Sequence, residues 1–326
     1  MKIILKNYKL LAVFLMVIGF TSCSDDDDNG TTAPTTVVDI ALENNLTSLA
    51  AALTATDLVT TLQGSGPFTV FAPTNEAFAD LLAATGLDLD NLSAAEEDLV
   101  RNILLNHVII GETINSTTLA NAGSGYVNTG ATGPNGANLS LYFNTSNVVM
   151  INGSSTVINA DNIASNGIVH IVDEVIGLPT IATFATTNPA LDTLVAALAY
   201  ADSGTPTVPY IATVSDATAG PYTVFAPTND AFSDLLTELN VSALSDLGTD
   251  TVDAVLLYHI VNANVQSSQL PNGTVTTLGG DITADNTAFT LTDANGRVSN
   301  IIVSLVDIQA MNGVVHVIDK VVLTPQ

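Results

Sequence analysis

Residues 68–82 read FTVFAPTNEAFADLL and residues 222–236 read YTVFAPTNDAFSDLL, identical at twelve of fifteen positions. A repeat of that length marks a duplication and restricts the chain to folds that are built twice. Other landmarks recur in the same order. LTSLAAAL from Leu46 answers LDTLVAAL from Leu191, LLNHVI around His107 answers LLYHIV around His259, and GIVHIVDEV from Gly167 answers GVVHVIDKV from Gly313. Their offsets run from 145 to 154 residues. Solenoids repeat every ~20–50 residues, so this period means two copies of one globular domain. The second copy carries nine additional residues around SGTPTVPYIATVSDATAG (203–220), where Pro and Gly predict a surface loop.

Each block has a local logic. Gly66-Pro67 reads as a turn and Phe68–Phe71 as a short β-branched and aromatic strand that Pro73 ends. Thr74 is placed to cap a helix with Glu76 in its first turn, and Phe78, Leu81 and Leu82 share one helical face. The second copy repeats the pattern with Thr228, Asp230, Phe232, Leu235 and Leu236. Ile168–Ile176 and Val314–Val322 are nearly continuous apolar runs, the mark of strands buried on both faces. Each is introduced by an Asn-Gly pair, at 166–167 and 312–313.

The N-terminus reads as a targeting segment over residues 1–22. Lys2, Lys6 and Lys9 precede an apolar run over Leu10–Phe20, which as a helix spans about 16 Å and is too short for a bilayer core of roughly 30 Å. Phe20-Thr21-Ser22-Cys23 resembles a lipobox, in which the signal peptidase cuts before a diacylated cysteine; Phe20 departs from the usual Leu. Cys23 is the only cysteine, so its lipidation leaves no thiol, disulfide or cysteine metal ligand. Ser24, Asp25, Asp26, Asp27 and Asp28 form a solvated acidic run. They also resemble the tag with which some Gram-negative lineages export lipoproteins to the outer face of the cell. Residues 23–36 then form a flexible tether with a reach of roughly 20 Å. The chain has 32 acidic and 6 basic residues, and only Arg101, Arg297 and Lys320 lie beyond the targeting segment. Nucleic-acid binding needs a Lys/Arg surface to displace counterions, which excludes that class, and anionic substrates are disfavoured.

The TVFAPTN-x-AF and NG-x-VH-x-x-D-x-V segments resemble the two signatures of the fasciclin (FAS1) domain family, in order and in both copies, over about residues 36–326. The resemblance implies an α+β fold: two tandem wedge-shaped β-sandwich modules, each with helices packed on one side. The expected domains are 37–178 and 179–326, joined by the short Gly177–Thr180 segment, which holds the modules close.

Four histidines, His107, His170, His259 and His316, form two equivalent pairs among β-branched and Leu residues. No HExxH or G-x-S-x-G motif accompanies them, so they read as core histidines whose ring nitrogens are hydrogen-bonded. Asp173 and Asp319 correspond and read as structural. Thr292–Gly296 resembles the start of a calcium loop without its alternating ligands or terminal Glu, and a hairpin turn is expected. The sequon Asn152-Gly153-Ser154 is of a kind that arises by chance in so Asn- and Thr-rich a chain. No catalytic residue, metal ligand or cofactor site is expected. In animal fasciclin proteins integrin recognition is attributed to a Tyr-His and an Asp-Ile motif, which Tyr258-His259 and Asp307-Ile308 match. The first copy has Asn106-His107 and Asp161-Asn162 instead, and Tyr258 and Ile308 fit a core role equally well.

What the resemblance implies is a surface-exposed, non-enzymatic adhesion lipoprotein of the outer membrane. It would contact other cells, matrix protein or polysaccharide, with the lipid as its sole membrane contact and without a cofactor. A periplasm-facing orientation is the alternative. An apolar lipid or pigment carrier and a polysaccharide hydrolase are the rival functions.

Overall fold

The repeated segments become the central strands of two modules in the computed structural model, which describes residues 35–325. From Thr35 onward the chain forms one compact unit. The expectations for the targeting segment, Cys23, Ser24 and Asp25–Asp28 fall outside the described residues. In the first module seven strands, β1 (Phe68–Pro73), β2 (Val108–Ile110), β3 (Ser124–Thr132), β4 (Asn138–Asn144), β5 (Met150–Ile151), β6 (Ser155–Ala164) and β7 (Gly167–Val172), run in the order β2-β1-β7-β6-β5-β4-β3. The second has β8 (Tyr222–Pro227), β9 (Ile260–Val261), β10 (Gly273–Thr276), β11 (Asp281–Asp285), β12 (Thr290–Thr292), β13 (Val298–Asn300), β14 (Ile308–Ala310) and β15 (Gly313–Ile318). These form two sheets, β14-β15-β8-β9 and β10-β11-β12-β13, linked through an Ile301–Ile318 bridge.

Helices accompany each module: α1 (Val37–Glu43), α2 (Thr47–Ala55), α3 (Val59–Leu62), α4 (Asn75–Thr85), α5 (Ala94–Asn106) and α6 (Ser116–Ala122) in the first. The second has α7 (Ile181–Thr187), α8 (Asp192–Asp202), α9 (Tyr210–Ser215), α10 (Asn229–Glu238) and α11 (Thr249–Leu257). This is the expected α+β class, and Thr74 and Thr228 cap α4 and α10 as the pattern predicts. Phe78 and Phe232 are buried, whereas Leu81 and Leu82 are only half-buried.

β1 and β7 pair in parallel, Phe68 opposite Gly167 through Pro73 opposite Val172, and β8 and β15 repeat this from Tyr222 opposite Gly313. The two family-like signatures are therefore the two halves of one parallel pair, which forms the wall between a helical layer and the sandwich. Val70, Val169 and Ile171 pack on the helical side, while Phe71 and Val172 face the other core with Leu141 and Ile151. Burial on both faces explains the continuous apolar runs. The strands end at Val172 and Ile318, earlier than the apolar runs suggest. There Asp173 and Asp319 turn the chain, their carboxylates accepting the Thr156 and Asn300 amides at 2.6 and 2.7 Å.

The expected surface loop at 203–220 contains α9, and its Tyr210 is fully buried with its hydroxyl donating to Asp253 at 2.7 Å. Only part of the insertion is therefore loop. Thr35 and Thr36, assigned to the tether, are also held: the Thr35 carbonyl accepts the Ser165 amide at 2.7 Å, and Thr36 caps α1.

Glycine at the head of each inner strand is a steric requirement. A Cβ at Gly167 would lie 2.2 Å from the Phe68 carbonyl oxygen, and one at Gly313 2.1 Å from that of Tyr222. Gly167→Ala is expected to cost at least about 3 kcal/mol in urea unfolding, because backbone must move. Gly177→Ala, with open space around the new methyl, should stay within about 0.5 kcal/mol of wild type.

Candidate functional site

The polar residues of both signatures are fasteners of the central pair. Asn166 accepts the Val37 amide at 2.9 Å and donates to the carbonyls of Leu62 and Gly64 at 2.8 and 2.7 Å. Asn312 does the same with the Ile181 amide and the carbonyls of Val214 and Asp216. Each Asn occupies the turn before its inner strand and also pins the first and third helices of its module to that strand. Thr69 and Thr223, both fully buried, each accept one backbone amide and donate to one carbonyl across the loop after the next strand. Asn75 and Asn229 accept an amide at the start of α2 and α8, from Ser48 and Thr193, and donate to the carbonyls of Asn45 and Pro189.

The histidines complete the set. His107 Nδ1 lies 2.7 Å from the Ile103 carbonyl and Nε2 accepts the Ile176 amide at 2.8 Å, so the ring is neutral with its proton on Nδ1. His259 is bonded identically to Val255 and Val322. His170 and His316 take the other tautomer, Nε2 donating to the Ile114 and Val265 carbonyls and Nδ1 accepting the Asp161 and Asp307 amides. Their rings stack on Phe71 and Phe225 with centroids 5.5 and 5.8 Å apart. Burial disfavours the imidazolium and holds all four below the ordinary histidine range, His107 and His259 at about 4. The expectation of hydrogen-bonded core histidines is met.

The residues matched to integrin motifs are mostly interior. Tyr258 is 8 % exposed, His259 2 % and Ile308 1 %. Gly279 and Gly280 make room for the Tyr258 side chain, since a Cβ on Gly279 would lie 2.3 Å from its ring and one on Gly280 2.5 Å from its hydroxyl. Asp307 is part-exposed, and its carboxylate accepts both the amide and the hydroxyl of Ser267 at 2.6 Å while its backbone is left-handed, φ 56°. Asp161 makes the same clamp on Ser116. The Asp of the Asp-Ile pair is thus a fold element in both copies, and the structure gathers these four residues into no common exposed surface.

Thr292–Gly296 connects β12 to β13 as a hairpin turn. Asp293 is buried, accepting the Asn295, Arg297 and Leu323 amides and pairing with Arg297 at 3.2 Å, while Arg297 also grips Glu238. Among the described residues no group of three or more His, Asp or Glu side chains is arranged to hold a metal ion. Asn152 is buried and its side-chain oxygen accepts the Tyr142 amide, so the sequon does not present its Asn to solvent.

Two features carried no periodic signal in the sequence. The first is a seam between the modules. Tyr126 packs on Tyr142 and Phe184 with centroids 5.0 and 5.5 Å apart and accepts a hydrogen bond from Asn188. The Gln309 amide donates to Ser140 at 3.0 Å, and its side chain is held by Asn264 and Gln266. Met311 donates to the Pro179 carbonyl in the linker. The second is an apolar cavity of about 130 Å³ in the second module, between α10, α11 and the segment after β15.

A fasciclin domain model matches residues 44–179 and 191–325, and the chain belongs to the fasciclin domain family. It is a tandem pair of such domains. Protein sll1483 of a Synechocystis species is 36% identical over 146 residues, 45% of this chain and 74% of that protein. Transforming growth factor-beta-induced protein ig-h3 of Sus scrofa is 28% identical over 272 residues, 80% of this chain, and human periostin 28% over 246 residues, 74% of it. The chain spans about a third of ig-h3 and a quarter of periostin, with 35% and 26% covered. The FAS1 domain pair of the insect cell adhesion molecule fasciclin I aligns over 88% of this chain and 95% of its own at 18% identity, with a TM-score of 0.49.

Two outcomes are expected. As pH falls, the unfolded chain protonates its histidines near 6.5 and the folded chain takes up the proton on His107 and His259 only near 4. Stability is therefore full above about 6.5 and declines toward 4, each module losing about 2 kcal/mol from this residue between pH 7.5 and 5 by urea titration. Asn312→Ala should cost roughly 3 kcal/mol, since it orphans the Ile181 amide and the buried carbonyls.

Proposed function

We propose that the chain is a surface-anchored, non-enzymatic adhesion protein. Cys23 carries the lipid, Asp25–Asp28 direct display, and the fasciclin pair contacts a cell-surface or matrix protein or a polysaccharide. The observation that carries this reading is the internal commitment of the polar signature groups: the buried Asn, Thr and His side chains all bond to backbone of their own module. What remains outward is a hydroxyl-rich, acidic surface suited to neutral or cationic partners. Membership of the fasciclin domain family, for which the resemblance implies adhesion, supports binding as the general role. Among the described residues no helix is long and apolar enough to cross a membrane.

The rival readings fare less well. Hydrolysis of a glycoside needs two carboxylates some 5–9 Å apart across a cleft. Asp173 and Asp319 instead sit in separate modules, each fixing a strand end, so the carboxylates left to that reading are Asp80 and Glu174, which line an open depression of the first module otherwise walled by Ala77, Leu81, Ala84 and Val175. A pigment or whole lipid needs a pocket larger than about 300 Å³, and the apolar cavity measures about 130 Å³.

The test is protease shaving of intact cells, paired with cell aggregation. Wild-type protein is expected to be cleaved, a variant with Asp25–Asp28 replaced by Ala to be protected, and aggregation to fall with the loss of display. Protection of both would place the protein inward and overturn the adhesive reading.

A further inference from the structure

The cavity of the second module is built mainly from apolar side chains. Phe232, Leu235, Val252 and Leu256 form a buried floor, and Leu239, Leu244, Leu247 and Val255, all half-buried, form the rim. The lining contains no Asp, Glu, Lys or Arg. Its one titratable group, His259, has both ring nitrogens bonded to backbone, to the Val255 carbonyl and the Val322 amide. An incoming molecule therefore meets hydrocarbon, with only Thr251 and Thr324 offering hydroxyls near it.

The duplication supplies an internal comparison. Around the corresponding Leu81 and Val175, the first module has an open depression lined also by Asp80 and Glu174. By repeat offset, Leu239 replaces Thr85 and Leu323 replaces Gly177, two apolar gains in the second copy against one loss, Thr251 for Leu99. An unfilled apolar cavity forfeits packing contacts that a well-fitted guest restores. A cavity of about 150 Å³ lined by aliphatic and aromatic side chains stays dry and takes up benzene.

From the volume and lining, we infer that the second module binds one small neutral hydrocarbon-like molecule, the size of a single aromatic ring, between α10 and α11. The inference is independent of the adhesive reading and holds whether or not the protein mediates contact between cells. The ring is too small to be a pigment, and the uncharged lining rejects an anion or cation that would lose its hydration without a partner.

The experiment titrates the full chain with benzene, followed by ligand-observed NMR and by the melting temperature, in wild type and in two variants that fill the space, Val255→Phe and Leu247→Phe. Expected are one benzene per chain, a benzene-dependent rise in the wild-type melting temperature, and binding weaker by at least about tenfold in each filled variant that retains the wild-type circular dichroism. Absence of binding to wild type, unchanged affinity in both folded variants, or two molecules per chain would overturn the site. A long-chain fatty acid that competes with benzene and binds more tightly would overturn the size assignment.

Discussion

The parallel pairing of β1 with β7, and of β8 with β15, is the constraint from which the rest of each module follows. Parallel neighbours need a long crossover, and here residues 74–166 and 228–312 lie between the two strands of each pair. The pairing begins where the Phe68 amide bonds the Asn166 carbonyl and the Tyr222 amide that of Asn312, both at 3.0 Å. At that point the backbones approach so closely that only glycine fits at 167 and 313. The Asn that precedes each glycine spends its side chain on two helices, so one dipeptide sets strand register and helix position together.

Duplication separates what the fold requires from what it tolerates. The residues retained in both copies, Thr69 and Thr223, Asn75 and Asn229, His107 and His259, His170 and His316, Asp161 and Asp307, make matching hydrogen bonds in each. Identity between the copies is therefore a record of folding. The copies diverge in the seam, where Tyr126, Ser140 and Gln309 join the two modules, and in the cavity, where Leu239 and Leu323 replace Thr85 and Gly177.

This division also explains what the sequence disclosed. The strand, cap and helix around FAPTN were legible because Pro73, Thr74 and the spacing of Phe78 act through local geometry, and the histidines were legible from their apolar flanks. Asn166 does sit in the turn that introduces β7, but nothing local shows that its carboxamide also reaches Val37, 129 residues away. The insertion at 203–220 reads as a loop because Gly204, Pro206, Pro209 and Gly220 are chain breakers, while Tyr210 is buried through a tertiary contact with Asp253. Tyr258 and Ile308 drew attention through a motif match, whereas their burial depends on Gly279, Gly280 and the packing of β14, which no linear pattern reports.

Native-state hydrogen exchange by NMR tests the central claim most directly, since it ranks amides by the free energy of the opening that exposes them. If the parallel pair organises each module, the amides of Val70, Phe71, Val169 and Ile171, and those of Val224, Phe225, Val315 and Val317, will exchange last and together within their module. If amides of α5 or α11 outlast those strands, the helical layer is the more stable unit and the account is contradicted.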